Sequence, residues 1–354
     1  MKYIKLFEQF IVEGGWSTVK TQQTILNPAN VKKTVEVIER IGQQFNKHLV
    51  SIDLPPLDIV RPVGSGTWWE QDLEEQPNKV YGDVDFLVAY PTLKLEGEDE
   101  KKNEAATVRL YNDELISWLE KAKPNGIDVE ESKNISNPSS IKLIAEIDVE
   151  GTQGYVQVDL VVTHIEYKDW ALARLTPVRN IKGFVLGNLY SSFGEVLDLS
   201  VQLKGVRAKL KGDTLVPYSK RAGVEEILVS KNIQTFLLDI AQFFWQQESK
   251  SPFKPNRALV SWKMDTNNPS IQQLMQGIQA LADQLDALDQ FGGSIKYKSK
   301  SEFMKAVADR YEQKMMTTYN ASKFDKAESD EAKKTVEKIR KMITEHIKLV
   351  RSLA

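Results

Sequence analysis

Asp83 and Asp85 stand two apart in the β-favouring run GDVDFLVAY, residues 82–90. Strand side chains alternate faces, so the two carboxylates share one face while Val84, Phe86 and Val88 take the other and enter a core. Adjacent carboxylates repel, and burial gains nothing for them unless a cation lies between them. Mg²⁺ suits such a place, because it takes a few carboxylates plus substrate phosphates. An earlier β run, Asp58 to Val63, ends in Gly64-Ser65, whose backbone N–H groups are placed to meet those phosphates. A third acid, Asp159, interrupts the apolar run VDLVV. Alone it is explained by a solvated sheet face, since antiparallel sheets commonly keep one face in water. It becomes informative only beside Asp83 and Asp85.

The elements that must position these acids are legible from periodicity. Asn27-Pro28 opens a helix, Asn as cap and Pro in the first turn, and Val31, Val35, Ile38, Ile41, Phe45 and Leu49 form its apolar stripe. Leu54-Pro55-Pro56-Leu57 breaks it before the first strand. Trp68-Trp69 follows Gly64-Ser65 and either covers the core or stacks a base. Glu70 to Lys79 reads as an acidic loop. A helix is expected from about Glu104 to Lys123, stopped by Pro124-Asn125-Gly126, and residues 126–140 read as polar, with a turn at 137–140. Ile141 to Val149 and Tyr155 to His164 alternate as a hairpin, with Ile141, Leu143, Ala145, Ile147, Val149, Val156, Val158, Leu160 and Val162 inward and Asp159 outward. A helix is expected around Leu186 to Phe193. After Val224 the pattern is helical: Ile227 to Trp245, Ile271 to about Leu288, Glu302 to Tyr319 and Ser329 to Leu353, with Ser251 to Thr266 irregular.

Composition narrows the class. The 354 residues suffice for two or three cores, and 41% hydrophobic with 27% charged residues is ordinary for a soluble globular chain. A net charge of −2 argues against whole-molecule electrostatic binding of nucleic acid. The charge is uneven: residues 66–150 carry 20 acidic and 9 basic residues, whereas 201–221 carry 6 basic and 1 acidic. The absence of cysteine excludes disulfides and thiolate metal sites, and His48, His164 and His346 fit no zinc spacing. No apolar run approaches a membrane span. Gly64-Ser65-Gly66-Thr67 lacks the Gly-Lys-Ser/Thr of a P-loop.

The series Val63-Gly64-Ser65, Asp83-Val84-Asp85-Phe86 and a later strand with Asp159 resembles the core of the DNA-polymerase-β-like nucleotidyltransferase superfamily. The resemblance covers residues 28 to about 165, and at its widest reaches 245. It implies an α+β fold: a nucleotidyltransferase-type mixed sheet flanked by helices, followed by an all-helical C-terminal domain. It further implies that Asp83, Asp85 and Asp159 are catalytic and hold two Mg²⁺ ions, and that Gly64 and Ser65 hold the β- and γ-phosphates of an NTP. Asp159 would ligate the ion that activates the attacking hydroxyl, or would serve as its base. An acceptor hydroxyl on RNA, protein or a small molecule would then attack the α-phosphorus and release pyrophosphate. Lys204, in the basic stretch, is the candidate for neutralising the triphosphate, with Arg207 and Lys220 as alternates; Arg61 is structural or a phosphate neighbour. Two features depart from the superfamily pattern. The connection from Gly64 to Asp83 is longer than usual, which suggests an insertion, and Tyr81-Gly82 stands where Ser often precedes the first Asp.

Residues 1–13, MKYIKLFEQFIVE, place Ile4, Phe7, Phe10 and Ile11 at helical spacing, and periodicity alone favours a docking helix. The segment also resembles the capsid-targeting leaders of internal head proteins of large contractile-tailed phages. That implies prohead-protease cleavage after Glu13 and residence in the host cytoplasm or the phage head. An internal head protein that acts by binding, on a nucleotidyltransferase scaffold, is therefore the alternative to an enzyme. The expected organisation is a leader at 1–13, a linker at 14–27, a catalytic domain at 28–200, a basic segment with a core helix at 201–250, and a helical region at 251–354.

Overall fold

The computed structural model describes residue 21 and residues 24–93, 100–136, 141–177, 184–220, 222–248, 251–286, 297, 299–321 and 330–354. The leader, its cleavage position, most of the linker and the turn at 137–140 lie outside them. The chain divides into two compact units, Met1–Lys168 with Ala327–Ala332, and Asp169–Lys326 with Lys333–Ala354.

The first unit is built on a mixed four-stranded sheet, β1 (Asp58–Val63), β2 (Val84–Tyr90), β3 (Ile141–Val149) and β4 (Thr152–His164), in the order β1-β2-β4-β3. Only β2 and β4 run parallel. Helix α1 (Pro28–Ser51) starts as its sequence requires: the Asn27 side chain accepts from the Asn30 N–H at 2.9 Å, and Pro28 occupies the first turn. Its stripe, Val31 to Leu49, joins Tyr111, Leu115, Trp118 and Leu119 of α3 (Glu100–Ala122) over one face of the sheet. That face presents Val84, Phe86, Val88 and Tyr90 of β2 with the inward residues of β3 and β4. Burying each large apolar side chain stabilises by roughly 1.5–3 kcal/mol, and this core holds the sheet whose other face carries the acids.

The connection from Gly64 to Asp83 is not an acidic loop throughout. A 3₁₀ turn, Gly64–Trp68, leads into α2 (Trp69–Glu75). Trp69 packs against the core, and Glu70 and Asp72 lie in the first turn, where the helix dipole favours acids. Asp72 is fully buried, and its Oδ2 accepts from Tyr81 Oη and from Lys79 Nζ, the latter at 2.6 Å. The end of this connection is thereby clamped to α2 just before β2. Residues 126–136 also contain a short helix, α4 (Val129–Ile135), capped by Asp128, whose side chain accepts from the Glu131 N–H.

The second unit contains α5 (Lys168–Leu175, from Asp169 on) and α6 (Phe184–Val196), and then a second sheet. Its strands are β5 (Ser200–Gln202), β6 (Gly205–Lys211), β7 (Thr214–Val216) and β8 (Glu225–Ser230), with β6 between β7 and β8 and also paired to β5. The helix expected from Ile227 therefore begins only at Phe236, as α7 (Phe236–Glu248). Ile227 and Glu226 are instead paired with Ala208 and Lys209 of β6. The basic stretch is strand for the same reason: Val206 and Ala208 are buried, and Arg207, Lys209 and Lys211 take the alternate positions. Helices α8 (Arg257–Ser261), α9 (Ile271–Asp286), α10 (Lys300–Ala321) and α11 (Asp330–Leu353) complete the helical C-terminal region. Trp170, Tyr190, Phe193 and Trp262 ring Phe236 at centroid distances of 5.3–6.5 Å. No helix among the described residues is long and apolar enough to cross a membrane.

The Asp72 clamp yields a stability prediction. Tyr81→Phe removes one donor from a buried carboxylate and is expected to destabilise by about 1.5–3 kcal/mol. Urea denaturation measures it, and a loss within experimental error would show that the clamp does not hold the connection.

Candidate active site

Strand register places the acids. Val63, Asp85, Asp159 and Lys142 pair in turn across β1, β2, β4 and β3, giving one row across the sheet. Neighbouring strands lie about 4.8 Å apart, so Asp85 and Asp159 are held side by side. Asp83, the residue before β2, lies on the same side of the chain as Asp85. Asp83, Asp85 and Asp159 each bring one carboxylate oxygen to within 4.8 Å of the other two, and all three are half-buried. The face around them is not freely solvated, since Leu87, Ala89, Ile144 and Gln157 on it are buried.

The three acids have unequal surroundings. Asp159 Oδ1 accepts from Gln157 Nε2 at 2.7 Å, and its Oδ2 lies 3.5 Å from Lys142 Nζ. Burial first, and then repulsion from Asp159, push the Asp85 carboxyl up from its ordinary 3.8 to about 6, with the Lys142 charge working against the rise. Neither Lys142 nor Gln157 was singled out in the sequence. The signal was available in the pairing of the two β runs, which sets Lys142 opposite Asp159, but it needs the register as well as the pattern.

Gly64 follows β1 and lies beside Asp85. Its φ is +62°, and a Cβ there would stand 2.6 Å from Asp85 Oδ2. Only a residue with no side chain allows both this backbone and this approach of the carboxylate. Thr67 Oγ1 donates to the Gly64 carbonyl at 2.9 Å and closes the turn that contains Ser65. A β-bulge at Val60 sets Ile59 and Arg61 on opposite faces, so Arg61 pairs with Leu87 on the acid-bearing side. Arg61 Nε and Nη2 are buried without a hydrogen-bond partner among the described residues.

The sequence-predicted residues thus divide by unit. The first unit brings together Asp83, Asp85, Asp159 and Gly64, with Ser65 in the adjoining turn. Lys204 belongs to the second, exposed in the turn between β5 and β6. Of its alternates, Arg207 is committed to Glu226 at 3.1 Å, and Lys220 is exposed with its carbonyl accepting from Lys209. The second unit also holds an open cleft of about 580 Å³ lined by Glu195, Gln202, Tyr218 and Arg310 among others. Its Glu195 is engaged by Arg310 and Lys314.

Three half-buried carboxylate oxygens form a hard donor set that fits Mg²⁺ or Mn²⁺ and not a soft metal. Burial first, and the neighbouring Asp159 charge second, disfavour the ionised Asp85 carboxyl, and a nearby divalent cation would favour it.

No protein-family model matches the chain, and no curated protein does. Among solved structures, the ternary P/T complex of Leishmania infantum polymerase beta is similar at 13% identity over 54% of this chain and 64% of that one, with a TM-score of 0.31. The ternary gap complex of the same enzyme is similar at 11% identity over 82% of this chain and 73% of that one, with a TM-score of 0.32. At this distance the likeness assigns neither an activity nor a substrate.

Two predictions follow from the geometry. Well below pH 3.8 Asp85 is protonated in the folded and the unfolded chain alike. As pH rises toward about 6 the unfolded chain releases that proton first, so the folded state binds more protons and loses stability, on the order of 3 kcal/mol once both forms are ionised. Metal-free Asp85→Asn is therefore expected to be more stable than the parent at pH 7.5, with most of that difference gone near pH 4; urea denaturation in chelator at the two pH values reads this, and an equal difference at both would refute it. Gly64→Ala is expected to destabilise by about 1–3 kcal/mol. Gly66→Ala, whose methyl would meet only ordinary contacts at 3.7 Å and 3.8 Å, is the control and should melt near the parent temperature.

Proposed function

We propose that the chain is a metal-dependent nucleotidyltransferase that moves an NMP from an NTP to a hydroxyl acceptor and releases pyrophosphate. The observation that carries this reading is the convergence of Asp83, Asp85 and Asp159 within 4.8 Å beside a glycine turn whose open position admits the Asp85 carboxylate. Asp83 and Asp85 would hold Mg²⁺, two ions in the full site, with Asp159 joining one of them. When bound, such ions neutralise phosphate charge and lower the pKa of the attacking hydroxyl.

The remaining work falls to the chain itself. Gly64 and Ser65 would offer backbone N–H groups to the β- and γ-phosphates, and the turn closed by Thr67 would keep those groups oriented before substrate arrives. Arg61, with two buried donors unused, adds positive charge to the same face. Asp159, held by Gln157, would orient the acceptor hydroxyl for in-line attack on the α-phosphorus. Lys204 stays a candidate for the triphosphate, tested by substitution.

The deciding experiment incubates the protein with α-labelled NTPs, Mg²⁺ and RNA, protein and small-hydroxyl acceptors, and asks which becomes labelled. Label transfer is expected to fall at least about a hundredfold in Asp85→Asn, beyond the loss typical of changes outside the ligand set. No labelled product from any of the four NTPs with any acceptor class would overturn the reading.

A further inference from the structure

Resting on the metal-binding reading above, we infer that Lys142 is the resident counter-ion of Asp159 and must give up that place before Asp159 can ligate a divalent cation. Lys142 is thus a positioning residue that sets how tightly the centre takes its metal.

The argument begins with the two oxygens of Asp159. Oδ1 is engaged by the Gln157 amide at 2.7 Å, and Oδ2 faces the Lys142 ammonium at 3.5 Å. Each oxygen of this carboxylate therefore already has one polar or charged neighbour that a cation must share it with. The partners sit at paired positions on adjacent antiparallel strands, so backbone hydrogen bonds hold their stems together. Nothing except side-chain rotation can part them. Lys142 has the freedom to rotate: its side chain keeps 26% of its surface in water, and an ammonium on a four-carbon stem is readily rehydrated.

Lys142 also acts beyond Asp159. Its charge opposes the rise of the Asp85 carboxyl, so its field reaches the next acid in the row. An ammonium that close repels a divalent cation through the same field with which it attracts the acids. Cation and lysine therefore compete for Asp159. An ordinary structural ion pair on a half-exposed sheet face behaves differently. Removing it leaves metal affinity unchanged or weakens it through loosened geometry, whereas removing a competing counter-ion tightens binding.

The test uses the full chain without nucleotide and titrates MgCl₂ or MnCl₂ by calorimetry. Lys142→Met, which keeps the stem and loses the charge, is expected to bind Mn²⁺ about fivefold tighter than the parent, the factor that about 1 kcal/mol of a half-exposed pair converts to. Lys142→Arg should restore the parent affinity, and Asp159→Asn added to Lys142→Met should abolish the gain. Metal-induced stabilisation in a thermal melt should rank the proteins in the same order. Should Lys142→Met fail to fold, Lys142→Gln carries the same comparison. Parent-like or weaker affinity in the uncharged variant, with the parent still binding metal, overturns the role of Lys142 and leaves the proposed transferase standing. Absence of metal binding in every protein overturns the metal centre and the inference with it.

Discussion

The structure turns on the repulsion between two carboxylates that the sheet does not allow to separate. Asp85 and Asp159 are register partners on parallel strands, and the spacing of hydrogen-bonded strands leaves them no lateral freedom. Charges brought this close in a half-buried place must be compensated or must resist ionisation. The molecule does both: Gln157 and Lys142 serve Asp159, and Asp85 holds its proton up to about pH 6. What keeps this arrangement together lies on the opposite face, where α1 and α3 bury Phe86, Val88, Leu143 and Val158. The acids depend on that core because nothing in their own interactions without a cation favours their meeting.

Asp85 owes its position to two further constraints that lie far from it in sequence. Gly64 leaves the space that its carboxylate approaches, and the left-handed turn there directs the chain away from β1. The connection that follows must then return the chain to the start of β2. It does so through a buried acid, Asp72, which gathers Lys79 and Tyr81. A fully buried carboxylate is a poor source of net stability, because desolvation offsets most of what its partners contribute. Its service is geometric: it fixes where the chain stands two residues before Asp83.

How much of this was legible in the sequence depended on whether a local pattern settled the matter. The stripe of α1, the break at Pro55-Pro56, the alternation of β3 and β4 and the outward place of Asp159 all follow from period alone, and the structure has them where expected. The α+β architecture was implied by the superfamily resemblance that their order carries. Patterns that allow two readings misled. EEILVS at 225–230 is apolar enough for the start of a helix, but pairing with β6 claims it as strand. Basic residues at every second place in β6 read as a charge cluster when weighed by composition and as a strand when weighed by spacing. The acidic run after Trp69 looks like solvated loop until Trp69 and Asp72 are seen to be covered. Lys142 and Gln157 were invisible for another reason, since a lysine or glutamine on the outer face of a strand is ordinary. Only register, which no single strand encodes, sets them against Asp159.

The row Val63–Asp85–Asp159–Lys142 also ranks the acids. Asp85 stands in its middle, with the glycine turn on one side and Asp159 on the other, so a phosphate seated at Gly64 and a cation shared with Asp159 would both meet it. Asp159 stands next to the edge strand β3 and has a lysine for its outer neighbour. A cation entering this row would find Asp85 with no lysine directly opposite it and Asp159 already engaged by Gln157 and Lys142. Of these two, Asp85 would therefore oppose a cation less than Asp159. If both served as ligands, Asp159 would be the one whose engagement is most readily made conditional on the rest of the site being filled.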